Sequence, residues 1–323
     1  MPSLWKITTL GLIIIFSIIV WIFVIGISAD QPGSYYNSGH NAVWVGHEWV
    51  GEQKSDGEIQ QFVRTLEDNR INTVFVHCGP FNNDGTVHHA TYRYAFKFLE
   101  SARKFNENIE YQAWLGQIRS EIDLEDELIQ DNIVRQTKIF TDLAGFDGIH
   151  FDIEPVWDED LAFIEVLRKT DEGLKDDKKI SVALAEFIPS VFLWMTENIH
   201  EYRNYNTEVN YRNVAKYADQ IVVMVYDTGI NSKNLYEWIV KEQTIRVTSL
   251  FDDIEVFIGI PAYEDEKEGF DPGIENIETG LNGVIAGLNN IRSNEKSFSG
   301  VSIYPYWEIS EKEWEIYSNL WLK

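Results

Sequence analysis

Eight short runs of apolar and β-branched residues recur after residue 31, and longer stretches with helical spacing separate them. The predicted strands are 42–46, 72–78, 110–116, 147–154, 180–186, 220–227, 255–261 and 300–306. A strand followed by a helix, repeated eight times, predicts an α/β protein whose parallel sheet closes into a (β/α)8 TIM barrel. An open doubly wound sheet is the alternative. The sequence contains no GxGxxG or GxxxxGK(S/T) motif, so the nucleotide-binding version of that sheet has no support.

Three stretches between these strands have the spacing of amphipathic helices. In the first of them, Ser55 and Asp56 are also available as N-terminal caps. The apolar positions are Ile59, Phe62, Val63 and Leu66 in the first stretch, Leu128, Ile129, Val134, Ile139 and Leu143 in the second, and Ile274, Ile277, Leu281, Val284, Ile285, Leu288 and Ile291 in the third. Such helices are expected to cover the outside of the barrel with their apolar faces turned towards the strands.

The first 30 residues form a region of their own. Residues 7–29 carry no charge, and this run is longer than the about 20 residues that a membrane-spanning helix needs. Lys6 precedes the run and Asp30 follows it, so the positively charged end is expected on the cytoplasmic side of the membrane. We expect residues 1–30 to be a signal anchor in the cell membrane and residues 31–323 to be one barrel domain outside the cytoplasm. A signal peptide cleaved near Ser28, which would give a secreted protein, is the alternative.

Charge and cysteine content exclude several kinds of partner. The chain has 27 basic and 52 acidic residues, a net charge of −25, which disfavours binding to nucleic acid or to an anionic membrane surface. Cys78 is the only cysteine, so neither an intrachain disulfide nor a cysteine-rich metal site can form. The spacing of His77, His88 and His89 matches no zinc pattern. We therefore expect no metal and no other cofactor. A monomer is the expected state of the chain.

The fourth predicted strand has titratable residues on alternate positions. His150, Asp152 and Glu154 share one face, which we expect to point into the barrel, because side chains alternate between the two faces of a strand. Three such groups are costly to bury and are rarely kept for packing alone. Asp147 lies on the opposite face, and its role is expected to be structural. The residues expected to face the outer helices are Ile149, Phe151 and Ile153.

Other predicted strands end in acids or aromatic residues, which should meet at the same rim of the barrel. Aromatic faces stack on the C–H faces of sugar rings and carboxylates bond their hydroxyls, so this combination suits a carbohydrate site. The residues concerned are Glu48 after strand one, Glu186 at the end of strand five, Met224, Tyr226 and Asp227 at the end of strand six, Tyr263 after strand seven, and Trp307 after strand eight.

Four of these strand ends resemble the motifs of glycoside hydrolase family 18, the chitinase-like enzymes. DGIHFDIE at 147–154 is similar to the family's D-G-x-D-x-D-x-E signature, MVYD at 224–227 to its M-x-Y-D strand, and GIPAY at 259–263 to its G-x-P-x-Y strand. Trp307 has the place of the family's sugar-stacking tryptophan. The four elements follow the family's order between residues 40 and 310.

The resemblance implies a role for each matching residue. Glu154 would be the general acid, and Asp152 would orient the 2-acetamido group of the substrate, whose carbonyl acts as the nucleophile in this family. Tyr226 would hydrogen-bond that carbonyl oxygen, and Trp307 would form the floor of the subsite. Independently, Asp152 lies two residues from Glu154 on the same face, so its charge should raise the pKa of the acid. The substrate would be chitin, peptidoglycan or an N-glycan core, cleaved with retention of configuration.

His150 departs from the signature, because the family has an aspartate there that shares a proton with the next carboxylate. We expect His150 to contribute to the substrate site and to replace that aspartate, either as a hydrogen-bond donor or as a cation that holds Asp152 as the anion.

Two other functions stay open at this stage. The first is a carbohydrate-binding protein without activity on the same barrel. The second is a barrel hydrolase for sugars without an acetamido group, with Glu48 or Glu186 as a carboxylate nucleophile.

Overall fold

The computed structural model describes residues 31–187, 205–264 and 269–323. Within these ranges, eight parallel strands close into a barrel in which each strand pairs with the next along the chain and the last returns to the first. The predicted TIM barrel is confirmed, and each strand end lies within three residues of its predicted position. The strands are β1 (Asn41–Val45), β2 (Ile71–His77), β3 (Glu110–Ile118), β4 (Gly148–Glu154), β5 (Lys179–Leu184), β6 (Gln220–Met224), β7 (Glu255–Pro261) and β8 (Phe298–Tyr304).

Helices follow the strands and lie outside the barrel, which gives the alternation that the sequence predicts. Two of them, α4 and α9, continue into π-helical turns at Ile139–Ala144 and Ser318–Leu322. The described helices are α1 (Glu48–Gly51), α2 (Asp56–Asp68), α3 (Ala95–Phe105), α4 (Glu127–Lys138), α5 (Leu161–Gly173), α6 (Glu208–Val214), α7 (Lys233–Thr248), α8 (Ile277–Leu288) and α9 (Glu311–Tyr317).

The two faces of β4 are buried in different surroundings, as predicted. Ile149, Phe151 and Ile153 belong to the apolar core between the strands and the outer helices, where the ring of Phe151 lies 6.3 Å from that of Phe163 on α5. Asp147, just before the strand, accepts from Arg103 at 2.9 Å and from a backbone N–H of β3, which confirms its structural role. The opposite face of β4 is thereby fixed towards the barrel interior.

The interior of the barrel is closed at the N-terminal ends of the strands by a polar network. Lys179 forms ion pairs with Glu110 at 3.1 Å and with Glu255 at 3.0 Å, and Gln220 donates to Glu255 at 2.6 Å. Because this end is filled, the barrel opens only towards the C-terminal ends of the strands. The apolar residues that pack against one another in the interior are Ala42, Trp44, Phe75, Trp114, Val222 and Phe257.

The predicted helical stripes are only partly correct. The first is confirmed, because α2 buries all four of its predicted residues and begins at a capping box formed by Ser55 and Glu58. In the second stretch, Leu128 and Leu143 are exposed, and α4 instead buries polar residues and Ile133. In the third, α8 ends at Leu288, so Ile291 lies beyond the helix and is fully exposed.

The C-terminal segment closes the seam of the barrel. The indole N–H of Trp321 donates to Asn41 Oδ1 at 2.8 Å, and the Asn41 amide donates to the backbone carbonyl of Arg70. Asn41 begins β1, so the chain end, β1 and the residue preceding β2 are held together at one point.

The predicted membrane segment at residues 1–30 lies outside the described residues. Among the residues that the structure does describe, no helix combines the length and the apolar character that crossing a membrane would require.

A buried ion pair at the start of α5 should carry unusual weight in stability. Asp160 caps the helix and accepts from Arg119 Nε at 2.6 Å, with both side chains buried. We expect Asp160→Ala to lower the free energy of unfolding by about 3–5 kcal/mol, because it leaves a buried guanidinium without its counter-charge. Urea denaturation measures this loss.

Asp126 provides the control, since it caps α4 at an exposed position and forms no ion pair with any residue that the structure describes. Asp126→Ala should cost about 1 kcal/mol. Equal losses in the two variants would contradict the special weight of the Arg119–Asp160 pair.

Candidate active site

A cavity of about 560 Å3 opens at the C-terminal ends of the strands. It receives side chains from β1, β3, β4, β6, β8 and α7 and from the segments that follow β5 and β6. We call it the central cavity. The residues predicted from sequence that line it are Asp152, Glu154, Glu186, Met224, Tyr226 and Asp227.

Asp152 and Glu154 both face the central cavity, because they occupy alternate positions on β4. Asp152 Oδ2 accepts a hydrogen bond from the indole N–H of Trp114 at 2.7 Å. The other oxygen, Oδ1, is buried and has no hydrogen-bond partner among the described residues. Asp152 thus has one oxygen held by the protein and one uncommitted acceptor.

The two carboxyls differ in their readiness to ionise. Burial is the main cause that raises the pKa of Glu154 well above its ordinary value. The charges of Asp152, Asp227 and Glu186 raise it further. Burial also raises the pKa of Asp152, whereas the Trp114 hydrogen bond lowers it. The ionisation of the one carboxyl depends on that of the other. The Glu154 side chain, although enclosed by other acidic residues, still reaches solvent in the cavity. Glu154 is therefore the carboxyl that holds a proton towards neutral pH.

Aromatic rings form one wall of the central cavity. Tyr226 and Tyr304 stack with centroids 5.3 Å apart, and the Trp44 ring meets each of them edge-on. Burial and the nearby acids raise the pKa of the Tyr226 hydroxyl well above its ordinary value, so it remains a hydrogen-bond donor. The wall therefore offers flat apolar faces together with a phenolic donor.

Asp227 is fixed at the edge of the cavity by residues from two other loops. Its backbone has a φ of 57°, in the left-handed region, directly after the end of β6. The Tyr263 hydroxyl donates to its carboxylate. Buried Glu275 accepts from the N–H and hydroxyl of Thr228 next to it. Tyr263 itself is buried and is not among the cavity-lining residues, so its predicted place in the substrate site is corrected to a support of Asp227.

Glu186 adds a further carboxyl to the central cavity. Burial, followed by the charges of Glu275 and Asp227, raises its pKa to about 7. It lies two residues beyond β5, whereas the sequence predicts it as the last residue of that strand. Glu48, the other acid considered as a nucleophile, begins α1 and does not line the cavity.

His150 does not line the cavity, which corrects its predicted place in the substrate site. It is fully buried and stacks on Phe75 with ring centroids 3.9 Å apart. The Trp44 indole donates to Nε2 at 3.0 Å, and Nδ1 lies 2.8 Å from Ser181 Oγ. An indole can only donate, so Nε2 is the acceptor and the imidazole proton is on Nδ1.

The expected coupling of His150 to Asp152 is therefore wrong. Both ring nitrogens are engaged elsewhere, so the ring cannot donate to the carboxylate. Burial lowers the pKa of His150 to about 3, which also excludes the cationic form at neutral pH.

Trp307 is likewise not a floor residue of the cavity. It lies on a short 3-10 turn, Tyr306–Glu308, beyond the end of β8, and it is 48% exposed. Tyr304, the last residue of β8, lines the cavity instead. The sequence indicated the correct strand end, and the aromatic residue from that end that lines the cavity is Tyr304.

Trp44, Trp114, Tyr304 and Glu275 are the site residues that sequence reasoning missed. The two tryptophans occupy inward positions of predicted strands, where alternation alone could have found them. Glu275 lies in a loop before α8 and carries no local signal. Among the described residues, no group of three or more His, Cys, Asp or Glu side chains is arranged to hold a metal ion.

The fold and site define a TIM barrel with an acidic, aromatic-lined cavity at the C-terminal ends of its strands. Solved structures with this fold include the spore cortex-lytic enzyme SleL of Bacillus cereus, at 14% identity and a TM-score of 0.62 over 87% of this chain and 74% of that one. A family GH18 chitinase of Cycas revoluta, solved with allosamidin, is 14% identical and has a TM-score of 0.59 over 87% of this chain and 99% of that one. A class V chitininase of Pseudomonas fluorescens Pf-5 is 13% identical and has a TM-score of 0.58 over 88% of this chain and 99% of that one.

These likenesses establish a shared fold, in agreement with the resemblance in the sequence motifs. No known family profile matches the sequence, and no curated protein matches it either.

The state of His150 is directly testable. We expect its imidazole to stay neutral and protonated on Nδ1 from pH 8 to pH 5, because burial lowers its pKa to about 3. NMR of 15N-labelled histidine measures this state, and the His150→Gln variant identifies the signal. A His150 signal that titrates near the ordinary pKa of about 6.5 would contradict the neutral assignment.

Proposed function

We propose that this protein is a glycoside hydrolase of the family 18 type that cleaves next to N-acetylglucosamine-type residues. The carrying observation is that the Glu154 and Asp152 carboxyls and the Tyr226 hydroxyl share one cavity at the C-terminal ends of the strands. Chitinases with the same fold support the proposal, as do the motifs at 147–154, 224–227 and 259–263.

Glu154 acts as the general acid in the proposed reaction. Its raised pKa keeps a proton available, and its solvent-accessible position leaves room for a glycosidic oxygen. The bond from the anomeric carbon to that oxygen breaks while the proton of Glu154 passes to the leaving alcohol.

The substrate's own acetamido carbonyl oxygen attacks the anomeric carbon and forms a cyclic oxazolinium ion, as in the substrate-assisted exceptions to the two-carboxylate scheme. Asp152 accepts from the acetamido N–H and stabilises the developing positive charge. Tyr226 donates to the carbonyl oxygen and orients it for attack. Water, deprotonated by Glu154, then opens the ring at the anomeric carbon, so the product retains its configuration.

The substrate class follows from the acetamido group that this mechanism needs. Chitin, peptidoglycan and N-glycan cores all carry it. The N-terminal membrane anchor that the sequence predicts, with the barrel outside the cytoplasm, would favour a cell-wall polymer among them. The solved structures with this fold include both chitinases and a spore cortex-lytic enzyme, so both kinds of polymer are suitable test substrates.

Replacing the proposed acid gives the main test. We expect Glu154→Gln to lower kcat on a chromogenic N-acetylglucosamine oligomer about a thousandfold, because the amide cannot protonate the leaving group. The full chain is assayed for hydrolysis and, separately, for binding of the oligomer. Glu125→Gln, at an exposed position outside the cavity, is the matched control and should retain full activity.

Each alternative function has its own outcome in this assay. Binding without turnover in the wild-type chain would indicate a carbohydrate-binding protein. Hydrolysis of plain glucosides but not of acetamido sugars would indicate a hydrolase with a carboxylate nucleophile, for which Glu186 lines the cavity.

The charge of Glu186 should contribute to the upper pH limit of activity, after burial and the charges of Asp152 and Asp227. Glu154 must be protonated, so activity falls as the pH rises through its pKa, and the charge of Glu186 raises that pKa. We expect Glu186→Gln to shift the basic limb of the kcat profile to lower pH. An unchanged basic limb, with Glu125→Gln as the reference, would contradict this coupling.

A further inference from the structure

The partner of Asp152 differs from the one that the family resemblance implies. In the signature, the preceding aspartate shares a proton with this carboxylate. Here the preceding residue is His150, whose ring nitrogens bond to Trp44 and Ser181. The hydrogen bond to Asp152 must therefore come from elsewhere.

Trp114 supplies it from the neighbouring strand. In the pairing of β3 with β4, Trp114 is opposite His150 and Gly116 is opposite Asp152, so the indole extends along the strands to reach Oδ2 at 2.7 Å. The indole ring is held in place by the His77 ring, with centroids 4.5 Å apart. Gly116 leaves the space beside Asp152 open, since a Cβ there would lie 3.1 Å from the Asp152 backbone oxygen.

We propose that Trp114 is the positioning residue of Asp152, with its indole N–H in place of the shared proton of the family signature. An indole only donates, so it favours the carboxylate anion and holds Oδ2, while Oδ1 stays available to accept the N–H of the substrate's acetamido group. This inference rests on the proposed function for the role of Asp152, but the hydrogen bond and its effect on ionisation do not depend on it.

Several other titratable groups lie around Asp152 and Trp114. They are Glu154 on the same strand, Tyr226 and Asp227 from β6 and its end, Tyr304 from β8, Glu186 after β5, and His77 beyond the Trp114 ring. Only Trp114 donates a hydrogen bond to the carboxylate among the described residues. A change at Trp114 should therefore act on Asp152 in a way that a change in these neighbours does not.

The test compares Trp114→Phe with Trp114→Gln in the full chain. Phenylalanine keeps a ring but removes the donor, whereas glutamine carries an N–H donor the same number of bonds from Cα. Without the donor, the pKa of Asp152 rises. Activity needs the Asp152 anion, so as the pH falls the variant loses activity at a higher pH than the wild-type chain does. We expect the acidic limb of kcat/KM to move up by about one pH unit in Trp114→Phe, with kcat lowered at least tenfold and KM within threefold. Trp114→Gln should restore much of the wild-type position of the acidic limb and much of the wild-type kcat.

A spectroscopic titration gives a readout that needs no turnover. Infrared spectra of the full chain follow the protonated carboxyl of Asp152, and Asp152→Asn identifies its band. We expect the midpoint to rise in Trp114→Phe. Trp49→Phe is the matched control, because its buried indole N–H has no partner among the described residues.

The outcomes separate the inference from the proposed function. An unchanged Asp152 midpoint in Trp114→Phe, or equal shifts in the phenylalanine and glutamine variants, would overturn the role of the indole N–H. A raised midpoint together with no hydrolysis of any acetamido sugar by the wild-type chain would overturn the proposed function while supporting the hydrogen bond.

Discussion

Three titratable side chains on the inner face of one buried strand impose the main constraint on this barrel. A buried polar group needs hydrogen-bond partners, and a buried ionisable group tends towards its neutral form unless its charge is compensated. His150, the deepest, is neutral and bonded through both nitrogens. Asp152 is held by Trp114. Glu154, at the end of β4, reaches the cavity, where burial and neighbouring acids favour its protonated form.

The rest of the barrel supports this arrangement. The polar network around Lys179 fills one end of the interior, so the cavity forms at the other end, where the strands finish. Trp44, Tyr226 and Tyr304 enclose the carboxyls with aromatic faces and exclude water from one side. The same low polarity that makes burial costly also separates the ionisation of the two carboxyls, and an acid held protonated beside an anion is what the proposed hydrolysis needs.

The departures from the family signature form one connected group. His150 bonds to Trp44, and Trp114 lies opposite His150 while bonding to Asp152. A histidine in place of the aspartate removes a proton-sharing partner from β4, and the indole on β3 offers a donor that cannot titrate. The barrel thus holds Asp152 with a set of side chains that differs from the signature, and this arrangement is compatible with the acid–acetamido pair that we propose.

The sequence by itself determined the number of strands, the alternation of strands with helices and which β4 side chains share a face, because these follow from local periodicity and alternation. It favoured the closed barrel over an open sheet, and the pairing of β1 with β8 decided it. It could not determine which side chains form hydrogen bonds with one another. The donor to His150 lies 106 residues away and the donor to Asp152 lies 38 residues away, so each contact exists only after the strands are aligned. Tyr304, and not the predicted Trp307, lines the cavity for the same reason, because the end of β8 depends on the pairing of this strand with β7 and β1. Local pattern sets the face of a residue, whereas tertiary register sets what it touches.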